Sequence, residues 1–319
     1  MQLDVIPELF GIEGRCGIVP LDAGHINSTY KVSTADGEYI LQSLNRRIFR
    51  DPAAVMANIA EVRRAFLTSG GNDLAVPEYL CSGGRNYAEH NGEIWRMYRY
   101  TEPDTAADSD RISGYAFGSF IRRVSGAEFR PVIEGYHNFG WYFSRLRAIA
   151  PGRISSDTMA RLSALSSVLD SVFTPDIPKR NIHGDAKTDN VITGRIPTVI
   201  DLDTVMCGYA AIDYGDMIRS LSTGGEPDIN RIRSATSGFA EGLFGFLTDT
   251  EADTLYFGIL WTTGELAVRY LTDSISDEKY FRGKTEKQCR DRAGELLRQL
   301  SIYESFSGEI KDIINNSFR

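Results

Sequence analysis

The sequence predicts an α+β protein with two lobes, a small β-rich lobe over residues 1–100 and a larger, mainly helical lobe over residues 101–319. The first hundred residues alternate β-prone runs with turn dipeptides around one helical pattern, whereas helical periodicity dominates from about residue 105. A chain of 319 residues is also longer than one small domain requires.

The N-terminal elements are predicted from turns and capping residues. Residues 20–33 and 38–44 form a hairpin around Asp36-Gly37, and the runs 77–82 and 93–100 add strands around a turn at Asn91-Gly92. Between them a helix follows Asp51 and Pro52, which suit its cap and first turn, and ends at Gly70-Gly71. One face of this helix is apolar and comprises Val55, Ile59, Val62 and Phe66.

The remainder of the chain predicts a helical lobe with one β interruption. Helical periodicity covers residues 112–123, 133–149, 157–173, 251–273 and 285–304, and residues 181–206 form a short β segment among them. No internal repeat or low-complexity run is present in the sequence.

Composition excludes several classes of function. The net charge of −8 disfavours binding to nucleic acid or to an anionic membrane. No apolar run is long enough to span a membrane, and the N-terminus lacks the features of a signal peptide. The four cysteines are scattered without a C-x-x-C pair, which favours reduced thiols in a cytoplasmic protein over a zinc site or a disulfide framework.

The segment NIHGDAKTDNVITGRIPTVIDLDTV (181–205) carries the strongest functional signal. Residues 191–193 and 196–200 are β-prone and are separated by Gly194-Arg195, so they predict a hairpin. Folding the hairpin brings Asn190 and Asp201 together at its open end, and Asp185 lies on the loop that leads there. Any one of these residues alone is more typical of a turn or a cap; the three together predict a site.

Two carboxylates and a carboxamide are oxygen ligands suited to Mg²⁺ and its phosphates. The spacing Asp185-x-Lys187-x-x-Asn190 is that of a kinase catalytic loop, in which the aspartate orients the acceptor hydroxyl and takes its proton. We therefore predict Asp185 and Lys187 as catalytic residues and Asn190 and Asp201 as metal ligands.

Two other residues of this segment are less clearly assigned. His183 is expected to brace the loop by hydrogen bonding. Asp203 is left open among three roles, which are contact with the acceptor, contact with the water shell of the metal, and binding of backbone donors.

The stretches HGDAKTDN and VIDLD resemble the aminoglycoside phosphotransferase and choline kinase superfamily, which has a bilobal protein-kinase-like fold and acts on small molecules. The stretches YILQSLN (39–45), DYGD (213–216) and RYLTD (269–273) are similar to the N-acetylhexosamine 1-kinase-like branch. Further stretches, among them GHINSTYKV (24–32), WRMYRY (95–100) and GYHN (135–138), extend the resemblance over nearly the whole chain.

This resemblance implies ATP and Mg²⁺ as cofactors and a set of nucleotide contacts. Residues 24–30 would form the phosphate-covering loop, and 97–102 the hinge, whose backbone binds adenine. Asp216, at the start of a later helix, would tie the backbone of the catalytic loop, with a plain helix cap as the alternative. The implied cofactor-binding residues are Gly24, Asn27, Ser28, Thr29, Gln42, Tyr98 and Tyr100.

Gln42 departs from the superfamily pattern, because kinases carry a lysine at this position. An amide can bind phosphate oxygens but supplies no charge, so neutralisation would shift to Mg²⁺ and Lys187. Glu61, the corresponding helix residue, then has no lysine partner.

The acceptor site is expected beside Asp185. Tyr136 and His137 resemble acceptor residues of the branch. Trp261 and Arg269, which share one helix face, are further candidates, and Asp203 of the catalytic segment is another. The alternatives are a core position for Trp261 and a surface ion pair between Glu265 and Arg269.

The sequence thus predicts an ATP- and Mg²⁺-dependent kinase of a sugar, specifically of the anomeric hydroxyl of an N-acetylhexosamine or a related sugar. The alternatives are another small alcohol (an aminoglycoside, choline or homoserine) and a non-catalytic nucleotide-binding module. The oligomeric state is left open.

Overall fold

The N-terminal lobe is built on a five-stranded antiparallel sheet. The computed structural model describes residues 3–21, 26–104, 108–222, 225–281 and 283–319. The strands follow the order β1-β2-β3-β5-β4 across the sheet. Their bounds are β1 (Gly17–Leu21), β2 (Ser28–Thr34), β3 (Gly37–Ser43), β4 (Ala88–His90) and β5 (Glu93–Arg99).

Both predicted hairpins are present in this sheet, the first with its turn one residue earlier than predicted. Thr34 pairs with Gly37, so Ala35 and Asp36 join β2 to β3, and Gly37 already belongs to β3. His90 pairs with Glu93 across Asn91 and Gly92, whose φ angles of 51° and 78° are those of a tight turn between antiparallel strands.

The strand predicted over residues 77–82 is wrong. Tyr79 and Ser82 form only isolated bridges, and β4 occupies the edge position instead. Pro77 lacks the N–H that a ladder requires, and Gly83-Gly84 turn the chain with positive φ angles.

Helix α1 (Pro52–Ser69) lies between β3 and β4 in the chain and confirms the predicted helix. The Asp51 side chain accepts a hydrogen bond from the Ala54 amide at 3.1 Å, and Pro52 is the first helical residue. Val55, Ile59 and Val62 are fully buried, so the predicted apolar face packs into the core.

The C-terminal lobe contains the remaining helices and two short strand pairs. Their bounds in chain order are α2 (Ser109–Arg123), α3 (Phe139–Ile149), α4 (Ser156–Val172), β6 (Arg180–Ile182), β7 (Val191–Ile192), β8 (Thr198–Val199), β9 (Met206–Gly208), α5 (Ala210–Ser220), α6 (Ile229–Leu243), α7 (Asp249–Ile275), α8 (Glu286–Ser305) and α9 (Ser307–Phe318). Strand β6 pairs with β9, and β7 pairs with β8. The predicted fold class is confirmed, whereas the boundary at residue 100 stays a prediction.

The helix predicted over residues 133–149 begins later than expected, at Phe139. Gly135 and His137 have positive φ angles, so the preceding segment forms turns rather than helix. Asn138 then caps α3 by accepting a hydrogen bond from the Trp141 amide. This loop places Tyr136 and His137 beside the catalytic loop.

Helix α7 forms the centre of the C-terminal lobe and has 27 residues. Helix α5 packs closely on α7 where Gly215 of α5 meets Gly258 of α7. A Cβ on Gly215 would lie only 2.1 Å from the Gly258 carbonyl oxygen, so the contact requires glycine. This contact fixes α5, which carries the anchor of the catalytic loop. Within the described residues no helix combines the length and apolarity needed to cross a membrane.

Candidate active site

Two nested strand pairs assemble the catalytic loop. In the inner hairpin Val191 pairs with Val199, and the Ile200 amide donates to the Asn190 carbonyl at 2.9 Å. Asn190 therefore lies opposite Ile200, and Asp201 follows Ile200 at the open end of the hairpin, one residue beyond the position that the predicted midpoint gives. In the outer pair Ile182 lies opposite Met206 and brings the start of the loop to the same place.

The loop backbone is anchored by Asp213 of α5. Its carboxylate accepts hydrogen bonds from the amides of His183 (2.7 Å) and Gly184 (2.8 Å). Gly184 has a φ of +80°, and a Cβ there would lie 2.4 Å from the Thr204 carbonyl oxygen, so the turn requires glycine. The predicted bracing role of His183 is confirmed, because its buried ring hydrogen-bonds the Ile200 carbonyl at 2.9 Å.

The assignment of Asp216 as this anchor is wrong. Asp216 lies inside α5 rather than at its start, and its carboxylate pairs with Arg219 at 2.7 Å. Asp213, one helical turn earlier, reaches the loop. Both aspartates stand in the same DYGD motif, which is why the pattern alone did not distinguish them.

Asp185 lies in contact with Lys187 and Asn190. The Lys187 ammonium is 2.9 Å from the Asp185 carboxylate, and Asn190 Nδ2 donates to the Asp185 carbonyl at 2.7 Å. Burial alone would raise the pKa of Asp185, but Lys187 outweighs it and holds this pKa below its ordinary value. Asp185 is therefore ionised at neutral pH and able to accept a proton.

Asp201 carries an electrostatic signature that fits a cation. Burial first, and then the charges of Asp203 and Asp185, raise the pKa of Asp201 to about 6. Concentrated carboxylate charge of this kind favours a divalent cation, for which Asp201 and Asn190 offer oxygen ligands.

Among the described residues no group of three or more His, Cys, Asp or Glu side chains could hold a metal ion. Two protein ligands plus phosphate and water oxygens would be the expected set for Mg²⁺. Magnesium binding stays a prediction.

Asp203 faces the N-terminal lobe and joins the two lobes. It is buried and forms a two-pronged ion pair with Arg96 of β5, whose Nη2 lies 3.1 Å from Asp203 Oδ2. Asn27 Nδ2 also donates to Asp203 at 2.6 Å. These partners occupy the carboxylate, so the predicted contact of Asp203 with the acceptor is wrong.

Gln42, at the position of the kinase lysine, lies directly opposite Arg96 in the sheet. Its side-chain carbonyl accepts a hydrogen bond from Arg96 Nε at 2.9 Å, and its amide donates to the Thr29 hydroxyl at 3.1 Å. A guanidinium from β5 thus lies where β3 supplies no charge. The sequence signal for Arg96 was a charged residue between Trp95 and Met97, which are both fully buried.

The other predicted nucleotide residues differ in their availability. The side chains of Asn27 and Thr29 are used within the protein, because Asn27 also accepts from the Asn45 amide at 3.0 Å. Ser28 is exposed at the start of β2. Gly24 lies outside the described residues.

The hinge is partly occupied by bonds inside the protein. The Tyr100 amide donates to the Glu38 carbonyl at 2.9 Å, and the Met97 carbonyl accepts from Leu80 at 2.7 Å. The Tyr98 ring packs edge-on against Tyr79 at 5.1 Å. The Tyr100 amide and the Met97 carbonyl are thus bonded within the protein, and adenine binding by the backbone of 97–102 stays a prediction.

Tyr136 and His137 contact the catalytic loop from the acceptor side. The Tyr136 hydroxyl donates to the Gly184 carbonyl at 2.9 Å, and His137 Nε2 lies 2.7 Å from the same oxygen. His137 Nδ1 is 3.4 Å from the Glu265 carboxylate. Burial would lower the pKa of His137, but Glu265 and the Gly184 carbonyl raise it above its ordinary value.

Trp261 is a core residue, which confirms the alternative and not the predicted acceptor contact. Its ring packs on Phe173 at 4.8 Å, and its indole N–H donates to Glu265 at 3.0 Å. Glu265 is thereby held toward His137, and the ion pair considered between Glu265 and Arg269 is not formed.

A cavity of about 520 Å³ opens on the acceptor side. Aromatic side chains of Trp141, Tyr142 and Tyr280 line it, together with Arg269 of α7. The segment after β3 forms the opposite wall through Arg47, Ile48 and Arg50. The cavity is linked to the catalytic loop through Arg269, whose guanidinium lies 5.7 Å from the Tyr136 ring centroid, and through the Tyr136 hydroxyl, which binds the Gly184 carbonyl.

The chain resembles known proteins in sequence and in fold. Residues 17–244 match the APH model, described as a phosphotransferase enzyme family. A microcompartment-associated aminopropanol kinase superposes with a TM-score of 0.70 at 16% identity, over 98% of this chain and 97% of that one. A choline/ethanolamine kinase family protein from Mesorhizobium loti superposes with a TM-score of 0.64 at 17% identity, over 98% and 96%.

A spectinomycin phosphotransferase in complex with ADP and spectinomycin superposes with a TM-score of 0.62 at 14% identity, over 98% of this chain and 97% of that one. At these identities the structural matches show a shared fold, and the family model, which covers more than half of the chain, shows the family. The chain belongs to the APH phosphotransferase enzyme family.

Proposed function

We propose that this enzyme transfers the γ-phosphoryl group of ATP to a hydroxyl group of a sugar, specifically the anomeric hydroxyl of an N-acetylhexosamine or a related sugar. The observation that carries the proposal is the arrangement of Asp185, Lys187, Asn190 and Asp201 at one end of a hairpin. Use of a nucleotide is supported by the spectinomycin phosphotransferase, which was solved with ADP.

Asp185 is the proton acceptor in this proposal. Its carboxylate is ionised because Lys187 lowers its pKa, and it can orient the acceptor hydroxyl toward the γ-phosphorus. As the bond from the acceptor oxygen to γ-phosphorus forms, the bond between γ-phosphorus and the β–γ bridging oxygen breaks. The hydroxyl proton passes to Asp185, and ADP leaves with the bridging oxygen.

Positive charge near the phosphates would come from Lys187, because Arg96 is buried and neutralised by Asp203. Lys187 keeps its proton because Asp185 and Asp201 raise its pKa, against the effect of burial. Mg²⁺ bound by Asn190 and Asp201 would supply further charge neutralisation at the transferring phosphoryl group. Because Gln42 replaces a lysine, we expect activity to depend strictly on the metal.

The acceptor cavity supports a sugar through its shape and lining. Aromatic rings present flat apolar surfaces to the C–H faces of a sugar ring, while neighbouring polar groups bind its hydroxyls. Its volume of about 520 Å³ exceeds what an amino alcohol of three carbons fills. Aminopropanol, choline, ethanolamine and aminoglycosides remain the alternative acceptors that the fold relatives suggest.

The test is a Mg·ATP-dependent screen over monosaccharides, amino alcohols and aminoglycosides, with ADP release as the readout and phosphorus NMR of each product. We expect turnover with N-acetylhexosamines or related sugars and an anomeric phosphate in the product. Turnover confined to amino alcohols would overturn the sugar proposal, and ATP binding without transfer to any acceptor would overturn catalysis.

A further inference from the structure

The acceptor cavity is electropositive in a protein whose net charge is −8. Five cationic side chains line it against three acidic ones, Glu134, Asp273 and Glu278. The cationic residues are Arg47, Arg50, Arg145, Arg269 and Lys279. Local charge of this sign opposes the overall charge, so it belongs to the cavity itself rather than to the composition of the chain.

Arg269 is the innermost of these cations and lies within a set of aromatic rings. Its guanidinium carbon is 4.3 Å from the centroid of Tyr280, 5.2 Å from that of Tyr142, 5.5 Å from that of Phe281 and 5.7 Å from that of Tyr136. Its Nε is buried without a hydrogen-bond partner, and among the described residues no carboxylate forms an ion pair with it. The charge is held in place but is not neutralised by the protein.

The two carboxylates of α7 that lie within one turn of Arg269 bind other groups. Glu265, one turn before Arg269, binds the Trp261 indole at 3.0 Å and faces His137 at 3.4 Å. Asp273, one turn after it, accepts the amides of Tyr280 (3.0 Å) and Phe281 (2.7 Å). A partly buried cation without a counter-ion is costly, and a bound anion would supply one.

Arg269 is also close to the reacting group. The Tyr136 ring beside it carries the hydroxyl that donates to Gly184, the residue before Asp185. Only one side chain therefore separates the guanidinium from the catalytic loop. A sugar with its hydroxyl at Asp185 extends into the cavity and can place a substituent at Arg269.

We infer that the acceptor is a sugar that carries an anionic substituent, such as a carboxylate, sulfate or phosphate, and that Arg269 binds this group. The inference rests on the proposed sugar kinase activity and specifies its substrate class. A planar guanidinium offers two parallel N–H donors to such a group, which a single ammonium does not. The same charge disfavours cationic acceptors such as choline, ethanolamine and aminoglycosides.

The first experiment compares matched acceptors with the wild-type enzyme. The ratio of kcat/KM is measured for glucuronate against glucose, and for the 6-sulfate and 6-phosphate of N-acetylglucosamine against N-acetylglucosamine. We expect at least one anionic member to be preferred by about tenfold or more, which identifies the anion. A ratio of about one for each of the three pairs overturns the inference and leaves the sugar kinase proposal intact.

The second experiment substitutes Arg269→Gln and repeats the preferred pair. We expect the ratio of kcat/KM for the anionic sugar to that for the neutral sugar to fall to about one. The KM for ATP should stay within about twofold of the wild-type value. Arg292→Gln, on the exposed face of α8, is the matched control and should keep the preference. Arg269→Lys retains the positive charge but lacks the planar guanidinium, so it should keep only part of the wild-type preference for the anionic sugar.

Loss of folding by Arg269→Gln does not end the test, because Arg145→Gln removes an exposed cation of the same cavity, which stacks on Trp141 and not on the rings around Arg269. It should reduce the preference by a smaller factor. An unchanged preference in every folded cavity variant overturns the inference, as does a rise in the KM for ATP alone. No turnover with any sugar, in contrast, refutes the proposed function itself.

Discussion

On the nucleotide side of the catalytic loop the buried Arg96 is neutralised by Asp203, whereas on the acceptor side Arg269 lies among aromatic rings with no carboxylate partner in the described chain. The first cation is bonded to Gln42 and joins the two lobes through Asp203. The Nε–H of the second donates no hydrogen bond to any described residue. Charge paired inside the protein serves architecture, and charge left unpaired beside a cavity is available to a ligand.

The largest effect is expected at the loop between these two sides. Asp185→Asn removes the proton acceptor while keeping the shape of the side chain, so kcat should fall by about 10²- to 10⁴-fold with little change in melting temperature. The matched control is Asp189→Asn, an exposed carboxylate on the same loop. Steady-state ADP release and thermal unfolding measure both quantities, and full activity of Asp185→Asn would remove the basis of the mechanism.

The next effect tests whether the nucleotide side is architectural. Asp203→Leu leaves the Arg96 guanidinium buried without its partner, so the free energy of unfolding should fall by about 3–5 kcal/mol. Adding Arg96→Met removes the unpaired buried charge and should recover part of the lost unfolding free energy.

Urea denaturation measures these changes in unfolding free energy. The control is Glu295→Gln, which breaks the exposed pair with Arg292 and should cost at most about 1 kcal/mol. A similarly small cost for Asp203→Leu would contradict the view that this ion pair ties the lobes.

The anchor of the loop supplies an intermediate effect. Asp213→Asn keeps one acceptor but turns an NH₂ group against the second backbone amide, which costs about 1–3 kcal/mol of loop positioning. The kcat should therefore fall by about 10- to 100-fold, with a smaller change in the KM for ATP. Asp216→Asn, which loosens only the pair with Arg219, should have a smaller effect on kcat, and the reverse order would restore Asp216 as the anchor.

The smallest effect concerns pH dependence on the acceptor side. The pKa of His137 is raised above its ordinary 6.5, because Glu265 and the Gly184 carbonyl outweigh burial, with Asp216 contributing from α5. The folded protein therefore binds this proton more tightly than the unfolded chain does. The resulting stability is present in full below pH 6.5 and is lost as the pH rises through the raised pKa.

Denaturation of wild type and His137→Gln across this pH range, with carbon-bound proton NMR of the ring in the wild type, measures the contribution. The free energy difference between the two proteins should shift in favour of wild type at the acidic end. A pH-independent difference would show that folding does not shift the pKa of His137, and a shift in the opposite direction would show that folding lowers it.

Local sequence spacing predicted the catalytic hairpin well. The pairing of Val191 with Val199 centres the turn on residue 195, as predicted, and places Asn190 opposite Ile200, one residue before Asp201. The capped helix α1 and the Asn91-Gly92 turn were predictable for the same reason, since each depends on residues adjacent in the chain.

The roles of Asp213, which anchors the catalytic loop, and of Arg96, which binds Gln42, were not predictable from local spacing. Asp213 and Asp216 lie three residues apart and share one face of α5, so only the packing of α5 on α7 decides which reaches the loop. Arg96 faces Gln42 because of the register between β3 and β5, which are separated by 49 residues of intervening chain. Such pairing depends on the whole sheet rather than on a local pattern.

The sequence by itself determined which chemical groups the candidate site contains, because the proposed base, its lysine and the two proposed oxygen ligands lie within one short, locally folding segment. The tertiary structure alone decided which charges are paired. Asp203 and Arg96 come from different lobes, Glu265 faces His137 of a distant loop, and Asp273 binds the amides of Tyr280 and Phe281 beyond the end of α7. Electrostatic compensation depends on distances between remote segments, and those distances are fixed only when the lobes and helices pack together.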